Sequence, residues 1–164
     1  MMAALSAAFM LLSYFPYLTY AIPAIAGLFM TVVVIEVNRK WAVGSYFASA
    51  VIVFLLAEPE SKLMYICFFG FYPVIKAAVD GMKKPVIKWI IKFAVFNVCV
   101  VTVYLLFAKA FGVSIDDFGD FGKYGAFILL GLGNIVFVLY DIAVSRMAMM
   151  YMAVIRPKIK KYLK

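Results

Sequence analysis

Residues 21–57 read AIPAIAGLFMTVVVIEVNRKWAVGSYFASAVIVFLLA. Two apolar runs flank the polar break Asn38-Arg39-Lys40, and each is close to the roughly 20 residues a helix needs to cross a hydrocarbon core about 30 Å thick. Glu36, Arg39 and Lys40 are the charges of the stretch, and all three sit at the break. Neither helix therefore has a side suited to water, and the pair reads as two membrane crossings joined by a short polar turn.

The rest of the chain repeats this pattern. Charge-free runs cover 1–35, 41–57, 63–75, 93–108 and 124–140, which is 98 of 164 residues. Hydrophobic residues make up 68% and charged residues 15%, against about 45–50% and about 25% in an ordinary soluble domain, so a water-soluble globule is excluded. The run 1–35 is too long for one crossing. Pro16 and Pro23, set among Tyr14, Phe15, Tyr17 and Tyr20, favour a turn there and hence two spans, with one kinked span as the alternative. The opening Met1-Met2-Ala3 lacks the basic residues of a secretory signal, so this run is expected to be retained.

The breaks Glu58-Pro59-Glu60-Ser61-Lys62 and Asp80 to Pro85, and a glycine- and aspartate-rich loop over 111–123, set the remaining spans. The expected fold is all-α: a polytopic membrane bundle of six transmembrane helices in one domain, over about 2–15, 20–37, 41–57, 63–79, 86–108 and 124–145. A basic tail follows over 146–164. Gly70 and Pro73 are placed to bend the fourth span. With N and C termini cytoplasmic, 13 Lys/Arg fall at or near inner ends, and Lys62, Lys109 and Lys123 fall outside. That asymmetry fits the positive-inside rule for a plasma-membrane protein.

The net charge of +8 is broken up by the spans, which points to lipid headgroups and away from nucleic acid. There is no histidine, and Cys67 and Cys99 lie inside apolar runs, so neither a disulfide framework nor a zinc site is expected. The acidic run Asp116-Asp117-Phe118-Gly119-Asp120 lacks the spacing of a calcium loop. Nucleophile-elbow, zinc-protease and phosphate-loop motifs are missing, so no catalysis, metal or cofactor is expected.

Ionisable groups at depth seek partners. Glu36, Lys76, Lys92 and Asp141 map to the inner halves of four spans, with Glu36–Lys76 and Lys92–Asp141 as the expected ion pairs, acting either as structural glue or as a switch. Asn97 and Asn134 lie nearer mid-depth, as helix glue or as part of a pocket. Tyr14, Tyr17, Tyr20, Glu58, Glu60, Tyr65, Tyr104 and Tyr124 ring the outer side, either as an interfacial belt or as the mouth of a small-molecule site.

The first span opens Ala3-Ala4-Leu5-Ser6-Ala7-Ala8, in which Ala3/Ala7 and Ala4/Ala8 are small-x-x-x-small pairs that let another helix come close. On a basic, loop-poor, six-span chain this resembles the substrate-binding component of energy-coupling factor transporters. The resemblance implies that Ala3, Ala4, Ala7 and Ala8 dock a membrane coupling subunit carrying two ATPases. It further implies a vitamin-like micronutrient taken from the outer side, with Tyr17, Tyr20, Glu58, Tyr65, Asn97, Tyr104 and Asn134 as ligand contacts or gates. The alternative is a non-transporting scaffold similar to the rod-shape membrane protein of the cell-wall machinery. Met147, Met149, Met150 and Met152, followed by Arg156-Pro157-Lys158, offer that scaffold an adaptable surface with a basic end.

Overall fold

The computed structural model describes residues 2–15, 18–37, 39–111 and 125–158, which form six helices and no strand. Helix α1 spans Met2–Met10 and tightens into a 3₁₀ turn over Leu11–Tyr14. Helices α2 (Ala21–Glu36), α3 (Arg39–Leu56), α4 (Pro59–Asp80) and α5 (Pro85–Phe111) follow. Helix α6 runs over Gly125–Met150 and continues through a wide turn at Tyr151–Ile155 to Lys158.

Four stretches are long and apolar enough to cross a membrane: Arg39–Leu56, Pro59–Asp80, Pro85–Leu106 and Leu130–Lys158. Helices α1 and α2 are apolar but shorter. The distribution of side chains is that of a protein solvated by lipid. Phe47, Val51, Phe54 and Leu55 on α3, Ile90 and Val98 on α5, and Leu132, Ile135, Val136 and Leu139 on α6 point outward. Ser6, Ser13, Thr31, Ser49, Ser61, Lys76, Lys92 and Asp141 are buried. Outward apolar faces with polar groups turned inward are what a hydrocarbon surrounding selects.

Two boundaries differ from expectation. Helix α4 begins at Pro59, inside the predicted break, because proline's fixed φ suits the first helical position and the extended Glu58 precedes it. The basic tail is helical through Lys158 where a tail from 146 was expected, since Arg146 to Met152 carries strong helix formers and no glycine. Of the predicted loop over 111–123, Phe111 is the last residue of α5, and the remainder, with its aspartates and Lys123, lies outside the described residues, as do Pro16, Tyr17 and Tyr124.

Helix α1 packs on α2 and α3, and α2 packs on α4 and α6, which places α2 at the centre. Gly27 is the reason α2 can sit there. A Cβ at this position would collide with the carbonyl oxygen of Phe69 on α4, and would lie 2.5 Å from the Tyr140 hydroxyl on α6 and 3.0 Å from the Phe69 carbonyl carbon. Pro73, four residues on, has no N–H to offer that carbonyl.

Helix α4 is interrupted at the same level by a wide turn over Tyr65–Phe69, in which the Gly70 N–H donates to the Tyr65 carbonyl at 2.8 Å. At its far end, Arg39 donates to the Ala77 carbonyl (2.7 Å) and Lys88 to the Asp80 carbonyl (2.8 Å). Both cations complement the negative end of the helix dipole.

Candidate functional site

The densest polar chemistry lies where α4, α5 and α6 meet. Tyr72, Lys76 and Asp80 recur every four residues and so share one face of α4, with Lys92 on α5 and Asp141 on α6 opposite. Asp141 accepts from the Tyr72 hydroxyl, and from Lys76 at 2.5 Å. Lys92 reaches both Asp141 oxygens, at 3.1 and 3.2 Å. Asp80 bridges the two lysines from the other side, 3.1 Å from Lys76 and 2.8 Å from Lys92. Lys76, Lys92 and Asp141 are each 5% exposed, so their charges survive burial by cancelling within the cluster. The Asp80 side chain is 43% exposed and marks where the cluster opens to solvent.

The expected Glu36–Lys76 pair is not formed. Lys76 faces Asp141, and Glu36, at the last turn of α2, instead takes Arg156 at 3.0 Å. The helical extension of α6 brings that arginine within reach, and a chain read as a tail from 146 gave no reason to expect it. Asp80 was read as part of a break and was missed as a cluster member. Its spacing of four from Lys76, and the spacing of four between Lys88 and Lys92, were the signals available.

The predicted ligand residues occupy separate places. Tyr65 is wholly buried, its hydroxyl 2.8 Å from Ser6 Oγ on α1 and 3.0 Å from Ser49 Oγ on α3. Ser6 also donates to the Ala26 carbonyl and Ser49 to the Tyr46 carbonyl. Three hydroxyl protons thus serve four contacts, and at most three are filled at any moment. Asn97 and Asn134 form a reciprocal amide pair at 3.0 and 3.1 Å, and each gives its other N–H to a carbonyl one turn back, Phe93 and Leu130 respectively.

Tyr20 is exposed and donates to Glu60 at 3.2 Å. Glu58 accepts from Ser61 at 2.8 Å. Tyr104 is half-buried on α5. A cavity of 260 Å³ opens on the α3–α4 flank, lined by Phe47, Ala50, Val51, Phe54, Leu55 and Ile66, and none of the predicted ligand residues that are described borders it.

On α1 the two alanine registers part. Ala7 is 5% exposed and packs with Met10, Ile22, Ala26 and Val53, so it belongs to the chain's own core and is not available to dock a partner. The reason is the α1–α2–α3 contact, which takes the face carrying Ser6, Ala7 and Met10. Ala4 and Ala8 are exposed, and the side chain of Ala3 lies outside what is described.

Comparison with protein-family models, with curated proteins and with solved structures finds no match to this chain.

Proposed function

We propose that the chain crosses a plasma membrane six times with both termini in the cytoplasm, and acts as the substrate-capture subunit of an ATP-driven micronutrient uptake transporter. The observation that carries this reading is the outward face of α1, where Ala4 and Ala8 stand exposed while Ser6 and Ala7 face the bundle. The Ala4/Ala8 step, left uncovered by its own bundle between the exposed Leu5, Leu11 and Leu12, suits close approach of a helix from a membrane coupling subunit. That subunit and its ATPases supply the energy, and this chain supplies binding.

The ligand site belongs on the outer side between α4 and α5. Segment Tyr65–Phe69 of α4 packs on α2, α3 and α5, whereas the first turns, Pro59–Met64, pack chiefly on α2 and α3. Towards its outer end α4 thus parts from α5 while keeping its other neighbours. Tyr104 stands on the α5 side of that division, with Tyr20 and Glu58 at the rim of the other. Ligand binding exchanges the mutual bonds of the clasp for bonds to a planar, neutral or cationic molecule.

A second reading, the non-transporting scaffold, is favoured by the internal pairing of Tyr65, Asn97 and Asn134 and by the exposed Met149, Met150 and Met152 on the long α6. Two measurements on the purified full chain and its membrane complex separate the readings. Under the transporter reading, Ala4→Leu/Ala8→Leu lowers coupling-subunit copurification and uptake at least tenfold while ligand affinity holds, and one member of a vitamin panel raises the Tm in detergent. Under the scaffold reading, no vitamin shifts the Tm, and the same variant loses protein partners only.

A further inference from the structure

The inner corner formed by the start of α3, the end of α4 and the start of α5 carries more cation than its carboxylates can neutralise. Both oxygens of Asp80 are taken by Lys76 and Lys92, Asp141 is taken by the same lysines, and Glu36 is taken by Arg156. Among the described residues, Arg39, Lys83, Lys84 and Lys88 have no carboxylate within ion-pair distance. Arg39 and Lys88 are nonetheless held in place, each with one donor on the last turn of α4, at the Ala77 and Asp80 carbonyls, and with its remaining donors unspent. The Arg39 guanidinium passes 3.6 Å from where a side chain on Gly81 would begin, so it lies against the turn that carries Lys83 and Lys84. Apolar groups flank this corner. Trp41 on α3 and Val86, Trp89 and Ile90 on α5 are exposed, and indole rings prefer the headgroup boundary.

From this geometry we infer that the α4–α5 corner is a binding site for the phosphate of an anionic phospholipid. Arg39 and Lys88 are the fixed donors, Lys83 and Lys84 the mobile counter-charges, and Val86 and Ile90 the surface along which the acyl chains lie. Four cations unmatched by acid, set beside outward apolar side chains, select a ligand with a negative head and an apolar tail. The site rests on the topology proposed above, which puts this corner at the cytoplasmic leaflet, and is independent of the transport reading.

The test uses the full chain in detergent, titrated with phosphatidylglycerol or phosphatidylcholine and followed by native mass spectrometry and thermal unfolding. Phosphatidylglycerol is expected to be retained and to raise the Tm, and phosphatidylcholine to do neither. Lys83→Gln/Lys84→Gln/Lys88→Gln should lower phosphatidylglycerol affinity on the order of a hundredfold, from three lysines at a charged surface. Lys83→Gln/Lys84→Gln, which leaves both caps of α4 intact, should lose part of that and keep the lipid-free Tm. Equal stabilisation by the two lipids, or an unchanged preference in the triple variant, overturns the site. Millimolar inorganic phosphate reproducing the shift overturns the lipid assignment in favour of a free anion. Labelling of Met82→Cys from outside intact cells would sink the topology alone, leaving the detergent result standing.

Discussion

Asp141→Asn is expected to be among the most damaging single substitutions in the chain, with a loss of about 3–5 kcal/mol of stability. The carboxylate neutralises two lysines that are each 5% exposed, and once it is gone Asp80 alone must serve both. A buried cation without its counter-ion has no inexpensive alternative in hydrocarbon. The same logic makes the defect repairable: adding Lys76→Met leaves Lys92 matched one to one with Asp80, and most of the lost stability should return. Asp80→Asn should cost less than Asp141→Asn, because its side chain is 43% exposed and water takes over part of its role. Unfolding of the parent and these three variants in detergent, by heat or denaturant, reads all of this. If Asp141→Asn lies within about 1 kcal/mol of the parent, or if the second substitution gives no recovery, the cluster is not what joins α4, α5 and α6.

Gly27→Ala is the second large effect, expected to cost about 3 kcal/mol by overpacking. One methyl group there meets the Phe69 carbonyl and the Tyr140 hydroxyl together, and a backbone carbonyl cannot rotate away as a side chain can. Tyr140→Phe combined with it should recover only a fraction, since the carbonyl collision remains. On its own, Tyr140→Phe should be close to neutral, because the buried hydroxyl has no hydrogen-bond partner among the described residues to lose. Gly44→Ala and Gly131→Ala serve as controls, as nothing lies within 4 Å of a Cβ at either position, and helix propensity makes them neutral or mildly stabilising. Equal effects at positions 27, 44 and 131 would refute the close approach at α2.

The helical membrane class was legible because it depends on summed apolarity, and the runs flanking Asn38-Arg39-Lys40 become α2 and α3 nearly as read. Ionic partners were harder to read. Depth along each span can be counted from the sequence, but azimuth relative to other helices cannot. Lys76 and Glu36 share a depth yet face different neighbours. The alanines of α1 show the same limit. Both registers fit a small-residue face, and only the docked position of α2 and α3 reveals that Ala7 is spent internally. Asn97 and Asn134 were expected either to glue helices or to line a pocket, and the structure pairs them with each other. Nothing in one sequence states that two amides 37 positions apart lie side by side.

The wide turn over Tyr65–Phe69 has a consequence for insertions and deletions. In a uniform helix Tyr65 and Tyr72, seven positions apart, would point the same way. Here the first meets Ser6 and Ser49 while the second meets Asp141, because the additional residue in the turn rotates everything beyond it by roughly 100°. Excising a single codon between positions 65 and 70 would regularise the helix and leave Lys76 and Asp80 facing their partners, whereas closing the wide turn at unchanged length would swing both off them by roughly 100°. The spacing between these two tyrosines is therefore a matter of phase, and a variant library in this segment should tolerate loss of one residue better than gain of one.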